Sequence, residues 1–174
     1  MHKSILCGFV MRYHFPISID MYDFLSAGRF DYLEIGQTAE MILQMFPAPE
    51  CVPEGLLVKK GWNIWLYGNI ELHFSDDRLV QIRADFDSES GLQGGRWLSL
   101  NTWFLNRQEK SDFHSVIEKL IGRGIDFIKL DTPTGLVLRL QSGVELLFEK
   151  YGKQRLTALS KGKTVLPDWV CAMA

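Results

Sequence analysis

Two short stretches of this chain match each other and determine the predicted fold: Gly68-Asn-Ile-Glu-Leu-His-Phe74 and Ser142-Gly-Val-Glu-Leu-Leu-Phe148. Both place apolar residues at alternate positions, and both carry a glutamate at the same place, Glu71 in the first and Glu145 in the second. Such alternation is typical of a β-strand that buries one face. Each stretch follows another strand-like run across a glycine-containing join that suits a tight turn, which predicts two β-hairpins.

An amphipathic helix is predicted before each hairpin. Apolar residues follow helical spacing over residues 38–46 in the first half and over residues 113–121 in the second half. Thr38 is the expected N-cap of the first helix, and Ser111 or Asp112 is the expected N-cap of the second. Prolines follow the first helix and glycines follow the second, so both ends are marked as well.

The same order of elements therefore occurs twice, since a third strand is predicted after each hairpin, at residues 78–82 and 155–159. This repetition predicts an α+β fold of two tandem helix-plus-antiparallel-sheet units. Each unit has a helix followed by three or four strands, with the helices on one face of the sheet. The expected organisation is an N-terminal extension (1–20), a single domain (21–174), two repeats within it (about 28–86 and 97–160) and a flexible connector (85–95).

Strand alternation also assigns predicted faces. We expect the buried face to contain these residues of the two hairpins: Trp62, Ile64, Leu66, Ile70, Leu72, Phe74, Leu136, Leu138, Leu140, Val144, Leu146 and Phe148. The opposite face is expected to be amphipathic and to bind a partner, because Trp and Tyr are enriched at interface hot spots and charges set specificity. The predicted binding residues on it are Trp65, Tyr67, Glu71, His73 and Arg139.

Two motifs carry a resemblance to bacterial proteins. Ile35-Gly-Gln-Thr-Ala-Glu40 before a helix, then Phe46-Pro-Ala-Pro49, resembles the opening of beta-lactamase-inhibitor-protein-like units, which small outer-membrane-assembly lipoproteins share. Trp65-Leu-Tyr-Gly-Asn-Ile-Glu-Leu-His-Phe74 is similar to the Trp-x-Tyr-Gly-x-Ile/Leu-Glu-x-x-Phe signature of a group of uncharacterised bacterial proteins. The resemblance covers about residues 28–86. It implies a tandem helix-plus-antiparallel-sheet fold without enzymatic activity.

Composition narrows the class of protein. The chain has 174 residues, 47% hydrophobic and 23% charged, with a net charge of −2, which is typical of one globular domain and argues against a dedicated nucleic-acid binder. Cys7, Cys51 and Cys171 form no C-x-x-C pair, so neither a zinc site nor a disulfide framework is indicated. No apolar stretch is long enough to span a membrane, and the apolar run near the start is too short for a convincing export signal. We therefore expect a cytoplasmic protein.

Few residues are candidates for a catalytic or metal-binding role. Glu71 and His73 lie at i and i+2 on one strand face and could form an acid–base pair or ligate a metal, although a simple polar pair is the favoured interpretation. Glu71 and Glu145 could act as paired carboxylates, but cross-strand pairing of each with a base such as Arg83 or Arg139 is favoured. With no nucleophile elbow, P-loop or metal motif, we predict no catalytic residues, no metal and no cofactor.

Three functions follow as hypotheses. The first is a non-enzymatic protein-binding module, in concrete form a bacterial immunity or inhibitor-type protein, whose partner is another protein. The alternative is a small-molecule sensing or accessory domain with a pocket between sheet and helices, covered by Trp97, Trp103 and the connector. The third is an enzyme that uses Glu71 and His73. The oligomeric state stays open at this stage.

Overall fold

The computed structural model of the chain describes residues 16–52, 61–86, 91–106 and 111–163. The helices in these ranges are α1 (Met21–Ala27), α2 (Ala39–Met45) and α3 (Phe113–Ile121). The strands are β1 (Ile17–Asp20), β2 (Trp62–Tyr67), β3 (Ile70–Ser75), β4 (Arg78–Asp85), β5 (Leu98–Asn101), β6 (Phe127–Asp131), β7 (Leu136–Leu140), β8 (Val144–Phe148) and β9 (Leu156–Gly162).

Seven of the strands form one antiparallel sheet in the order β2-β3-β4-β9-β8-β7-β6. The pairing of β4 with β9 at its centre joins the first half of the chain to the second. The remaining strands, β1 and β5, form a separate parallel pair. The predicted α+β class is confirmed, with three helices and a mostly antiparallel sheet.

The N-terminal part of the described chain differs from the predicted extension. β1 pairs with β5, and Ile19 within it is fully buried, so residues 17–20 belong to the folded body. Asp20 then caps α1 by accepting a hydrogen bond of 2.8 Å from the Tyr22 N–H. The extension expected over residues 1–20 is therefore wrong for β1, and residues 1–15 lie outside the described part.

Both predicted N-caps are confirmed. The Thr38 side chain accepts a hydrogen bond from the Met41 N–H at 3.2 Å. Asp112 does the same from the Ser115 N–H at 3.1 Å, and the Ser115 hydroxyl also donates to its carboxylate. These bonds satisfy N–H groups that a helix leaves without an intrahelical partner, which fixes where α2 and α3 begin.

The buried side of α2 is only partly the predicted one. Ala39 and Ile42 are buried, and Phe46, just after the helix, packs edge-on against the ring of Tyr67. Met41 and Met45, expected on the apolar side, are instead 47% and 43% exposed. Ala39, Ile42 and Phe46 recur at i, i+3 and i+7 and define the buried side, and the helical rotation turns Met41 and Met45 away from it.

The number of residues in each hairpin turn determines which side chains are buried. In the first hairpin the turn is Gly68-Asn69, so Tyr67 pairs with Ile70 and Trp65 with Leu72. Paired residues share a face, and both aromatic rings therefore lie in the core, with no exposed surface. The prediction that placed Ile64 and Leu66 there is wrong, since these two lie on the opposite face, half-buried.

The second hairpin has one more turn residue, and its faces are as predicted. Leu138 pairs with Leu146, and both are fully buried, whereas Arg139 pairs with Glu145 on the other face. Adding one residue to a turn reverses the alternation of one strand relative to the next, because side chains alternate with a period of two. The two hairpins therefore match in sequence over their second strands, β3 and β8. Their first strands, β2 and β7, differ in which alternate residues face the core.

The described part of the connector is hydrogen-bonded to the first hairpin turn. The Asn69 side-chain amide donates to the carbonyls of Gly91, at 2.7 Å, and Asp85, at 2.9 Å. Its oxygen accepts from the Gln93 N–H at 2.7 Å, and Leu92 is buried. Residues 91–95, expected to be flexible, therefore make defined contacts, while residues 87–90 of the predicted connector lie outside the described part.

Candidate functional site

One row of residues crosses all seven strands on the sheet face opposite Trp65 and Tyr67. In strand order the row is Leu66, Glu71, Arg83, Ser160, Glu145, Arg139 and Ile128. We call these seven residues the polar row. Two acid–base neighbours lie within it, Glu71 beside Arg83 and Glu145 beside Arg139. Opposite charges on neighbouring strands stabilise a sheet and fix its register.

The second acid–base pair is the accessible end of the polar row. The Arg139 Nε–H donates to Glu145 Oε1 at 2.7 Å, and the two side chains are 52% and 29% exposed. Ile128, the last residue of the row, is 55% exposed. A surface ion pair contributes little to stability, so the guanidinium and carboxylate can form new contacts at small cost.

The first acid, Glu71, is engaged by a histidine. The His73 Nε2–H donates to Glu71 Oε2 at 2.6 Å, and His73 is buried. This hydrogen bond lowers the pKa of the Glu71 carboxyl; burial opposes the shift, and the charges of His73 and Arg83 add to it. Glu71 is therefore a carboxylate at neutral pH, and the Arg83 guanidinium forms its ion pair with Asp85 instead.

Two of the five predicted binding residues are core residues. Tyr67 and Trp65 have no exposed surface. The Tyr67 hydroxyl donates to the Pro47 carbonyl at 2.6 Å, and burial raises its pKa well above the usual range. The Trp65 ring packs against Phe74 with 4.4 Å between ring centroids. The placement of both rings on the open face was wrong, because that placement depended on the incorrect phase of β2.

The other three predicted binding residues do share one face. Glu71 and Arg139 belong to the polar row, and His73 lies one row away on the same face, where it pairs with Gln81. They differ in access: His73 is buried, Glu71 is half-buried and Arg139 is exposed. Of these three residues, Arg139 is therefore the one that a partner could readily touch.

Glu71 and Glu145 do not form a catalytic pair of carboxylates. Three strand spacings separate them in the polar row, across Arg83 and Ser160. At about 4.8 Å per spacing their backbones lie about 14 Å apart. Paired carboxylates of glycosidases are separated by at most about 9.5 Å. Glu145 pairs with Arg139 across strands, as the simpler arrangement predicts. Glu71 instead bonds His73 on its own strand, and Arg83 pairs with Asp85.

Two concavities of the described chain bear on the candidate functions. A shallow groove of about 330 Å³ lies at one end of β6 and β7, lined by Phe127, Ile128 and Arg139 among others. A cleft of about 280 Å³ lies between the α1–α2 segment and the centre of the sheet. Its lining residues are Ala27, Gly28, Arg29, Asp31, Leu33, Glu34, Ile35, Ile82 and Lys161.

The two tryptophans expected to cover a pocket line neither concavity. Trp97 lies beneath the Arg96 guanidinium, 4.8 Å from it, and packs against the core. Trp103 meets the ring of Tyr22 edge-on at 5.1 Å. Both therefore act as packing residues. Residues 16–52, 61–86, 91–106 and 111–163 contain no cluster of three His, Cys, Asp or Glu side chains suited to a metal ion.

No family of proteins, curated protein or solved structure matches this chain. The resemblance carried by residues 28–86 therefore stays a prediction. Within its described ranges, the chain has no helix whose length and apolar character would allow it to cross a membrane.

Sequence reasoning missed the polar row as a unit. It named Glu71, Arg83, Glu145 and Arg139, but it did not connect them and did not include Ser160 or Ile128. The connection depends on the pairing of β4 with β9, which lie far apart in sequence. The only signal for that pairing was the internal repeat, since two equivalent third strands can meet at the centre of one sheet.

Proposed function

We propose that this chain is a non-enzymatic protein-binding module of the bacterial immunity or inhibitor type. Its contact surface is the accessible end of the polar row, around Arg139, Glu145 and Ile128. The observation that carries the proposal is an in-register row of alternating charges whose far end is exposed. Charged groups held in fixed register on a rigid sheet suit recognition of a protein surface with the opposite order of charges.

Apolar residues lie beside these charges on the same face. Val137 and Leu147 pair with each other in the neighbouring row and are half-buried, and Leu130 continues that row onto β6. Protein interfaces combine such an apolar centre with a polar rim, the first supplying area and the second specificity. Arg is among the residues enriched at hot spots, which makes Arg139 the principal contact in this proposal.

The proposal assigns no catalytic role to Glu71 and His73. Their hydrogen bond and the burial of His73 favour a structural pair that orders one end of the polar row. A general acid needs a raised pKa, whereas the pKa of the Glu71 carboxyl is lowered. Retained partner binding in a folded Glu71→Gln, His73→Ala variant would support this assignment, and a lost chemical activity would contradict it.

We further propose that the chain is a tandem repeat, with α2 and β2–β4 as the first unit and α3 and β6–β9 as the second. Three features support this: the matched caps Thr38 and Asp112, the matched glutamates of β3 and β8, and the β4–β9 pairing at the centre. In this view β6 is an addition to the second unit.

The test is capture of the partner from lysate of the native cell with wild-type chain and two charge variants. Arg139→Glu reverses the exposed charge of the polar row, whereas Arg29→Glu makes the same change on a side chain that is 67% exposed and pairs with Asp23 elsewhere. We expect one stoichiometric partner in native mass spectrometry, retained by Arg29→Glu and weakened at least about tenfold by Arg139→Glu. Equal binding by the two variants would contradict the proposed surface.

The cleft beside α1 supports a second candidate, the small-molecule sensing or accessory domain. It presents the cations Arg29 and Lys161 and the acids Asp31 and Glu34, a set that suits a small zwitterionic ligand. Lys161 Nζ donates to the Gly28 carbonyl at 2.5 Å, so its position is fixed. A ligand mass that co-purifies with wild type and is lost in Asp31→Asn would favour this candidate over protein binding.

A further inference from the structure

β6 forms one edge of the seven-stranded sheet. At the other end of the sheet, the edge of β2 is partly covered, because Cys51 bridges to Leu66. Within the described ranges, no strand pairs with the outer side of β6. Its residues Ile128, Lys129 and Asp131 are all exposed. An uncovered edge strand presents unpaired backbone groups that another strand can pair with.

The positions of those backbone groups follow from the hydrogen bonds to β7. The Thr132 N–H donates to the Gly135 carbonyl at 2.9 Å, and the Gln141 N–H donates to the Asp126 carbonyl at 3.0 Å. In an antiparallel ladder these bonds alternate, so the even-numbered residues of β6 direct their backbone groups at β7. The N–H and C=O groups of Lys129 and Asp131 therefore point outward from the sheet.

We propose that β6 pairs antiparallel with β6 of a second copy of this chain, about a two-fold axis through Leu130. In this register Lys129 lies opposite Asp131 of the second copy, and the reverse pair forms by symmetry. Each pair exchanges two backbone hydrogen bonds, because both residues direct their backbone groups outward. The chain thus forms a homodimer in which one sheet continues across both copies.

Charge determines the register. With the axis through Leu130, two opposite-charge pairs form on the face that also bears Leu136 and Leu138. An axis one residue earlier would place Lys129 directly opposite its own copy, and like charges facing each other destabilise a strand pair. On the other face, Leu130 meets Leu130 of the second copy, and the exposed side chain of Ile128 gains a neighbour. Lys129 and Asp131 therefore make the strand self-complementary in one register.

The existing contacts of the two charges permit this arrangement. The Lys129 ammonium lies 4.8 Å from the Phe113 ring centroid, and Asp131 pairs with Lys150 at 3.3 Å with its side chain 67% exposed. Neither contact uses the outward backbone groups. A contact of two five-residue strands is smaller than a standard protein interface, so the dimer is expected to be weak, with a Kd in the micromolar range.

The experiment is sedimentation equilibrium of the full chain at low ionic strength, from low micromolar to near-millimolar concentration. Lys129→Glu and Asp131→Lys each place like charges opposite one another and are expected to raise the dimer Kd at least about tenfold. The double variant Lys129→Asp, Asp131→Lys exchanges the charges and is expected to restore the dimer. Lys153→Glu, an exposed site on another loop, is the control and should dimerise like wild type.

Circular dichroism first establishes that each variant is folded. Loss of the dimer in both single variants with recovery in the double variant would establish the edge and its register. A wild-type chain that stays monomeric throughout the range would overturn the proposal. A dimer that survives both single variants, or one that the charge exchange does not recover, would place the interface elsewhere.

Discussion

Glu71 is held in its ionised form by the residue two positions along its own strand. His73 donates the hydrogen bond, and its burial keeps that bond out of competition with water. The Glu71 carboxylate in turn accepts the hydrogen bond that the buried His73 Nε2–H needs. The pair therefore contributes to stability as a unit, and removal of one partner leaves the other in an unfavourable environment.

This pair makes stability depend on pH. Because the pKa of Glu71 is lower in the folded state than its ordinary value of 4.5, its stabilising contribution is complete above that value and is lost as the pH falls through the folded-state pKa. Glu71→Gln should lower the free energy of unfolding by about 1–2 kcal/mol at neutral pH. The difference from wild type should shrink in urea titrations below pH 4.5. A constant difference across the acid range would contradict this explanation.

Trp65 provides a second residue-level prediction. Its ring is fully buried against Phe74, so Trp65→Ala should reduce the free energy of unfolding by about 3–5 kcal/mol through lost contacts and a cavity. Met41→Ala, which removes a side chain that is 47% exposed, should change it by less than about 0.5 kcal/mol. Chemical denaturation of both variants measures the contrast. A loss of less than about 1 kcal/mol in Trp65→Ala would contradict the core assignment.

At the scale of the element, the two hairpin turns have equivalent glycines in different surroundings. Gly68 and Gly143 both have positive φ, at 61° and 82°. A Cβ on Gly68 would lie 2.5 Å from backbone atoms of Gln93 and Gly95, whereas a Cβ on Gly143 would meet nothing within 4 Å. The first turn is thus closed over by the chain segment that follows β4, and the second is open.

This difference predicts unequal costs for the same substitution. Gly143→Ala should lower the free energy of unfolding by about 1–2 kcal/mol, the cost of a left-handed conformation. Gly68→Ala carries the same conformational cost and adds a clash with backbone atoms, so it should be clearly more destabilising. Urea denaturation of the two variants tests this, and equal costs would show that residues 93–95 do not pack on the turn.

The elements also show which parts of the fold the sequence could predict. The caps at Thr38 and Asp112 and the strands of both hairpins have local signals, and these predictions were confirmed. The phase of β2 was wrong because it depends on whether a turn has two or three residues. α1 was missed although Asp20 marks its start and Gly28 its end; the chain before it had been assigned to an extension.

At the scale of the whole molecule, the polar row depends on long-range pairing. Each half of the row joins strands that are consecutive in sequence. Glu145 and Arg139 belong to one hairpin, and Glu71 and Arg83 lie on adjacent strands. Their alignment into one row requires that Arg83 and Glu145 both pair with Ser160 of β9. Local patterns cannot specify that register, so sequence analysis found the charged residues without finding the surface that they form.

The error in the predicted site has a more local cause, the two-residue turn that sets the phase of β2. Aromatic residues on an alternating strand suit either a core or an interface, and burial alone decides between them. With Trp65 and Tyr67 in the core, the proposed surface contains no large ring and depends on Arg139 with aliphatic neighbours. Recognition through such a surface is expected to weaken with added salt, because its charges lie near solvent.

The most direct test of the central claim is site-specific photo-cross-linking in the native cell. A photoreactive phenylalanine analogue would replace Val137, which is half-buried on the polar-row face, or Met41, which is exposed on α2. We expect one discrete protein adduct from position 137 that Arg139→Glu abolishes, and none from position 41. The same adduct from both positions, or from position 41 alone, would contradict the claim that the polar row binds the partner.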